Sequence, residues 1–151
     1  GYVGYYLAKE LHTLGAKLIM TDTDPEACAR VQQEFQATIV APSEIYGVAC
    51  DVFSPAALGA ILNEDTIDKL QCSIVAGAAN NQLAEPIHGY ALKERGILYA
   101  PDYVINSGGI IHAASIYDKL DDTQIVKKIE HLYEALFNIF TRAKADDLPT
   151  H

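Results

Sequence analysis

Short apolar runs punctuate the chain at residues 17–21, 37–40, 48–53, 73–77 and 97–100, and stretches with helical patterning separate most of them. That alternation belongs to βα units, whose strands pair in parallel because each crossover returns a helix over the sheet. The expected fold is α/β, a doubly wound parallel sheet. Ahead of the first run, Val3, Leu7, Leu11 and Leu14 repeat at helical spacing and Gly15 supplies a stop, so the chain opens on a helix. Asp24-Pro25-Glu26 reads as an N-cap acid, a proline at the first helical position and a further acid in the first turn, and the helix it starts ends before residue 37. A long helix over 123–144 gathers Ile125, Ile129, Leu132, Leu136 and Ile139 on one face, with Asp121 and Asp122 as its cap. An apolar face of that length must cover something. Residues 1–120 are therefore expected to form the sheet domain, and 121–151 a terminal helix packed on the sheet or on a domain outside the chain.

Composition removes several classes of function. Half of the 151 residues are hydrophobic and 21% are charged, enough apolar material for a core and too much for a disordered tail. Twenty acidic residues against 11 basic ones give a formal charge of −9, the wrong sign for holding nucleic-acid phosphates. No apolar run approaches the roughly 18 residues of a membrane span, so neither nucleic acid nor membrane is an expected partner. Cys28, Cys50 and Cys72 are odd in number, evenly spaced and without a C-x-x-C pair. That pattern argues against a disulfide framework or zinc site and for a reducing, cytoplasmic compartment. The five histidines, His12, His88, His112, His131 and His151, show no i, i+4 pairing and read as surface or helix-face residues; no metal site is expected.

Gly1-Tyr2-Val3-Gly4 stands where the first apolar helix begins, and Asp22 closes the strand that follows. These are the second half of a G-x-G-x-x-G dinucleotide fingerprint and its acid. Gly1 would let the backbone approach a pyrophosphate, Gly4 would permit close helix-to-strand contact, and the helix start offers free amides and a positive dipole end. Asp22 would accept from the adenosine ribose. Asp22-Thr23-Asp24 brings two carboxylates and no arginine, which favours NAD over NADP. The fingerprint makes the sheet Rossmann-type. Its first strand, central in such a sheet, and its first glycine are absent, and no Met precedes Gly1; the chain reads as a fragment cut inside the phosphate-binding turn.

Two stretches exceed what periodicity explains. Ala76-Gly77-Ala78-Ala79-Asn80-Asn81-Gln82-Leu83 and Ala100-Pro101-Asp102-Tyr103-Val104-Ile105-Asn106-Ser107-Gly108-Gly109 each follow a strand at its carboxyl end, where open α/β sheets bind ligands. With Cys50-Asp51-Val52-Phe53-Ser54-Pro55-Ala56-Ala57-Leu58-Gly59, they closely resemble the cofactor-binding domain of the Glu/Leu/Phe/Val amino-acid dehydrogenase family. The family's P-D-x-x-x-N-A-G-G element is matched by Pro101, Asp102, Asn106, Gly108 and Gly109, and A-N-N-Q-L points to the leucine and phenylalanine branch, nearest the leucine members. Ser107 departs from the family's usual alanine, and Ser54-Pro55-Ala56 from the A-P-C common in the leucine branch.

The resemblance implies residue roles. Gly1, Tyr2, Val3 and Gly4 would cradle the pyrophosphate and Asp22 would hold the adenosine ribose. Cys50, Asp51 and Val52 would line the adenine or ribose side, although Asp51 also reads as a turn cap. Ala76, Gly77, Ala78 and Asn80 would rim the nicotinamide-ribose site, with a self-satisfied loop amide as the competing reading of Asn80. Asn106 would orient the nicotinamide carboxamide and reach the substrate, against ordinary turn chemistry; Asp102 reads as structural. Val126 and Ile129, one turn apart, would contribute to the substrate pocket, against plain core packing. The implied parent activity is NAD-dependent, reversible oxidative deamination of a branched-chain aliphatic L-amino acid (leucine, valine, isoleucine) to its 2-oxo acid and ammonia. Phenylalanine is the competing substrate, and a non-catalytic NAD-sensing domain the alternative of another class. The catalytic lysines and carboxylate would lie in a substrate domain outside the chain, in a homo-oligomer.

Overall fold

The computed structural model describes residues 1–151. Its elements follow the expected alternation: α1 (Tyr2–Thr13), β1 (Ile19–Met20), α2 (Pro25–Phe35), β2 (Thr38–Ile39), a 3₁₀ turn at Ile45–Gly47, β3 (Val52–Phe53), α3 (Glu64–Ile67), β4 (Ile74–Val75), α4 (Ile87–Glu94), β5 (Leu98–Tyr99), α5 (Asp102–Ile105), α6 (Gly108–Tyr117) and α7 (Asp122–Asp146). Local chemistry explains the boundaries. Asp24 caps α2 by accepting from the Glu26 N–H at 2.9 Å. Asp121 and Gln124 form a reciprocal capping box at the start of α7, at 2.9 and 3.0 Å. Gly15, at φ +84°, ends the first helical segment as the 5→2 and 6→1 bonds of a left-handed cap close behind it, with Gly15 N–H donating to His12 O and Ala16 N–H to Leu11 O, both at 2.9 Å.

All strand pairing is parallel, but the expected single sheet is divided. β1 pairs with β2, Ile19 opposite Thr38; β3, β4 and β5 form a second sheet in that order, with Val52 opposite Ile74 and Ile74 opposite Leu98. No ladder joins β1 to β3. The core divides likewise. Ala8, Val31, Phe35 and Ala37 cluster under the two-stranded sheet; Phe53, Leu62, Ile67, Leu70, Val75, Leu92, Ile97 and Tyr99 cluster around the three-stranded one.

Helix α1 corrects a detail of the expected packing. Its core contact is Ala8, with Leu7 and Leu11 only half-buried, while Val3 and Leu14 are 59% and 82% exposed. The apolar spacing is real, but the surface that Val3 and Leu14 would meet is not part of this chain's core. Along α7, Ile125, Leu132, Leu136 and Ile139 are half-buried towards α5 and α6, Ile129 stays exposed, and no α7 residue is fully buried. His88 departs from the surface reading: it is buried, its Nδ1 accepts from the Glu85 N–H at 3.0 Å, and its Nε2 faces Glu64 at 3.2 Å.

Tyr99 supplies a pH test of the core. Burial first, then the neighbouring Asp102 charge, pushes its phenol up to about 12. An unfolded tyrosine ionises near 10, so the phenol's contribution is fully present below that pH and is lost as pH rises towards the folded value. Stability is expected to fall by about 1 kcal/mol per pH unit across that window because of Tyr99. Urea denaturation of the wild type and of Tyr99→Phe at a series of alkaline pH values checks this; identical pH slopes would refute it.

Candidate functional site

Parallel strands all point the same way, so the loops after β3, β4 and β5 leave the sheet on one side, and the backbone binds the first two to one another. Ala79 N–H donates to Pro55 O at 2.9 Å, Ala60 N–H to Asn81 O at 2.7 Å and Leu62 N–H to Gln82 O at 2.9 Å. Two glycines make the approach possible. A Cβ on Gly77 would stand 2.3 Å from Pro55 O and 2.4 Å from Pro55 N; one on Gly59 would stand 2.8 Å from Asn80 O. These are backbone atoms of neighbouring loops and cannot swing aside.

Gln82 completes the scaffold. Its side chain is wholly buried, and its Nε2 donates to Gly77 O at 2.8 Å and Ala79 O at 2.9 Å, fixing the curl of residues 77–82. Its own backbone N–H donates to Asp102 Oδ2 at 2.8 Å, while Asp102 Oδ1 accepts from the Tyr103 N–H at 2.7 Å. Asp102 therefore clasps the loop after β4 to the segment after β5, the structural part expected of it. Gln82 and Gly59 lie in the stretches that carry the resemblance, but the sequence assigns neither a role of its own. The usable signal is a long polar side chain inside an apolar-flanked loop, which must have partners when buried.

On this scaffold Asn106 Nδ2 donates to Asn80 Oδ1 at 2.5 Å. That bond uses one end of each amide and leaves Asn106 Oδ1 and Asn80 Nδ2 as a further acceptor and donor. Asn106 lies with Ser107 in the turn that joins α5 to α6. It ends α5, its N–H donating to Asp102 O at 2.9 Å, and α6 starts two residues later. Ser107 stands at that junction with its hydroxyl donating to Val104 O at 2.6 Å.

A second group gathers at the start of α1. The Gly1 amino group donates to Asp22 Oδ2 at 2.7 Å and the Asp24 N–H to Asp22 Oδ1 at 3.1 Å. Tyr2 and Val3 are exposed there, and the place of a Gly1 Cβ is open. A Cβ added to Gly4 would stand 3.4 Å from Ala56 Cβ, in the loop after β3. Gly4 thus sets the start of α1 beside that loop.

The remaining expected residues fall elsewhere. Cys50 and Asp51 precede β3 and Val52 opens it, so they stand towards the amino-terminal side of the sheet, away from the Asn80–Asn106 pair. The carboxyl end of this strand falls after Phe53. Ala76 and Ala78 are half-buried in the loop that carries Asn80. Val126 and Ile129 are 53% and 43% exposed on α7 within this chain. Two concavities, of about 310 and 420 Å³, lie between the end of α7, residues 147–150 and β5.

The sequence profile of the Glutamate/Leucine/Phenylalanine/Valine dehydrogenase family matches residues 22–146. A leucine dehydrogenase of Thermoactinomyces intermedius is 50% identical over 151 residues, covering all of this chain and 41% of the relative. A phenylalanine dehydrogenase of Caldalkalibacillus thermarum is 40% identical over 155 residues, 99% of this chain and 42% of the relative. The crystal structure of L-tryptophan dehydrogenase from Nostoc punctiforme superposes with a TM-score of 0.97 at 44% identity, over 99% of this chain and 46% of that one. The chain thus spans about two fifths of the length of the relatives it matches. On this fold, these motifs and these matches, it belongs to the Glutamate/Leucine/Phenylalanine/Valine dehydrogenase family.

Proposed function

We propose that the protein containing this chain catalyses NAD-dependent, reversible oxidative deamination of leucine, valine and isoleucine, and that this chain is its Rossmann-type cofactor-binding domain with α7 as a terminal helix. The observation that carries the reading is the Asn80–Asn106 amide pair on the carboxyl side of β4 and β5, in a chain of this family. The divided sheet supports the domain assignment. In the order 3-2-1-4-5-6, removing the first strand leaves a pair and a triplet, and β2-β1 with β3-β4-β5 is that arrangement.

The residues suit the dinucleotide. The opening turn of α1 offers amides with no helical partner and has the Asp22 carboxylate at its side. The buried Gln82 Oε1 has no donor within the chain, an acceptor that a bound group or water would complete. When bound, the nicotinamide takes the hydride from the amino-acid α-carbon. The uncharged amides of Asn80 and Asn106 orient ring and substrate without opposing that charge transfer, and the crossed loops hold them still. Proton transfers are assigned to the other domain, and assembly to a homo-oligomer.

The higher identity to a leucine dehydrogenase than to the phenylalanine enzyme favours aliphatic substrates, and the uncharged Val126 and Ile129 suit them. The 44% identity to a tryptophan dehydrogenase keeps aromatic substrates as the second reading. Initial rates of the full-length enzyme with leucine, valine, isoleucine, phenylalanine and tryptophan decide between them. Highest kcat/KM for the aliphatic set is expected; preference for an aromatic substrate would move the specificity, and no turnover of any would overturn the proposal.

Asp22 gives a cofactor test. The full-length enzyme is expected to prefer NAD strongly over NADP, and Asp22→Ala to raise the KM for NAD about tenfold or more while narrowing that preference, since bonds to a charged group contribute about 1.5–3 kcal/mol. Equal kcat/KM with both cofactors in the unmutated enzyme would refute the role.

A further inference from the structure

The three cysteines are free and half-buried. Two of them are partners across a ladder. Ala49 bridges Gln71 and Val52 pairs with Ile74, both at an offset of 22 residues, so the register between these pairings sets Cys50 opposite Cys72. The even spacing that excludes a permanent framework is here the length of one βα repeat. Register partners on neighbouring parallel strands share a face and stand about 4.7–4.9 Å apart, within the roughly 4.4–6.8 Å Cα separation of disulfides.

Regular parallel pairing holds Cβ atoms slightly wide for a strain-free bridge, whose Cβ separation is about 3.5–4.5 Å. This ladder has slack where it is needed. Residues 50–51 and 72–73 are outside the strands, and the N–H groups of Ser73 and Ile74 share one acceptor, Asp51 O, at 3.2 and 3.1 Å. Both thiols pack against the same apolar cluster. Burial chiefly, and then the nearness of Cys50, pushes the Cys72 thiol up; burial and the Asp51 charge do the same to Cys50. Cys28 is no competitor, because it lies on α2 with its Sγ directed to Asp22 O at 3.6 Å.

We propose that Cys50 and Cys72 form a reversible dithiol–disulfide site on the amino-terminal side of the β3–β4 ladder, oxidised by small-molecule disulfides. One thiol loses its proton to solvent, and its thiolate attacks the small disulfide, forming a mixed disulfide and releasing one small thiolate. The second cysteine, also deprotonated, attacks the protein sulfur of that intermediate and expels the other half, and both small thiolates take up protons. Two protein thiols are oxidised and one small disulfide is reduced to two thiols. The loop so closed contains residues 54–59, the segment packed on the Asn80 loop, while the bridge itself stands away from the amide pair.

The test treats the full-length protein with hydroxyethyl disulfide and maps unreduced peptides by mass spectrometry. A peptide joining Cys50 to Cys72, about 2 Da lighter than the two separate peptides and split by dithiothreitol, is expected, with both thiols lost together. Because the thiols are mostly protonated near neutrality, the rate should rise about tenfold from pH 7 to pH 8. Cys28→Ser should form the same bridge, and Cys72→Ser should lose it while keeping its dehydrogenase activity. Separate adducts on Cys50 and Cys72, linkage of either to another cysteine, or no reaction of the folded protein under conditions that oxidise the urea-unfolded one would each overturn the assignment.

Discussion

Gly77→Ala is expected to destabilise the full-length enzyme by about 3 kcal/mol or more and to lower its affinity for the cofactor, although it adds only one methyl group. The added carbon would stand 2.3 Å from Pro55 O, 2.4 Å from Pro55 N and 2.5 Å from Pro55 Cδ. Small-to-large changes in packed sites ordinarily cost about 1–3 kcal/mol because side chains shift, and this one meets backbone. Moving Pro55 would break its bond from Ala79 N–H, and shifting Gly77 would break its bond from Gln82 Nε2. Both movements disturb the loop that presents Asn80. Gly47→Ala is the control, since nothing lies within 4 Å of its added carbon. That variant is expected to stay within about 0.5 kcal/mol of the wild type. Urea denaturation of the three proteins measures the difference, and equal midpoints would remove the packing argument.

The alternation of elements is legible in the sequence because its signals are local. Asp24-Pro25-Glu26 and Asp121 to Gln124 carry their own caps, and each of the five apolar runs contains the observed strand. What stays hidden depends on surfaces distant in the chain. Val3 and Leu14 share the spacing of Leu7, yet they stay exposed because the chain brings nothing to cover them. The turn at Asn106 and Ser107 agrees with the turn chemistry of those residues, while the entry of Gly108 and Gly109 into α6 is hidden because glycine reads as a helix breaker.

The site divides along the same line. Asp22, Asn80 and Asn106 draw attention because they lie in the segments that follow the carboxyl ends of strands, where open α/β sheets bind ligands. Cys50, Asp51 and Val52 run into a ladder that ends at Phe53, so which side of the groove they serve is set by the pairing and not by the apolar run alone. Gly59 and Gln82 escape notice because their importance lies in what crosses them, the Asn80 carbonyl for one and the Gly77 and Ala79 carbonyls for the other. A one-dimensional pattern records spacing along the strand, while close approach between loops is a property of the pairing.

Asn106→Leu is expected to lower kcat/KM of the full-length enzyme about a hundredfold while leaving its melting temperature within a few degrees. Leucine keeps the approximate shape and removes both polar atoms, so Asn80 Oδ1 loses its donor and the substrate side loses an acceptor. Removing one preorganised polar group from a reacting centre typically costs about 10²–10³ in rate. The fold has little at stake, because the Asn106 backbone bond to Asp102 O and the Gln82–Asp102 clasp do not use the side chain. Adenosine-side binding, which rests on Asp22 and the start of α1, should change little, so ADP-ribose is expected to inhibit wild type and variant with similar Ki. Steady-state kinetics over amino acid and NAD, with ADP-ribose inhibition and thermal melting on the same preparations, separate the outcomes. Unchanged kinetics would return Asn106 to the role of a helix terminus, and loss of melting cooperativity would make it part of the scaffold.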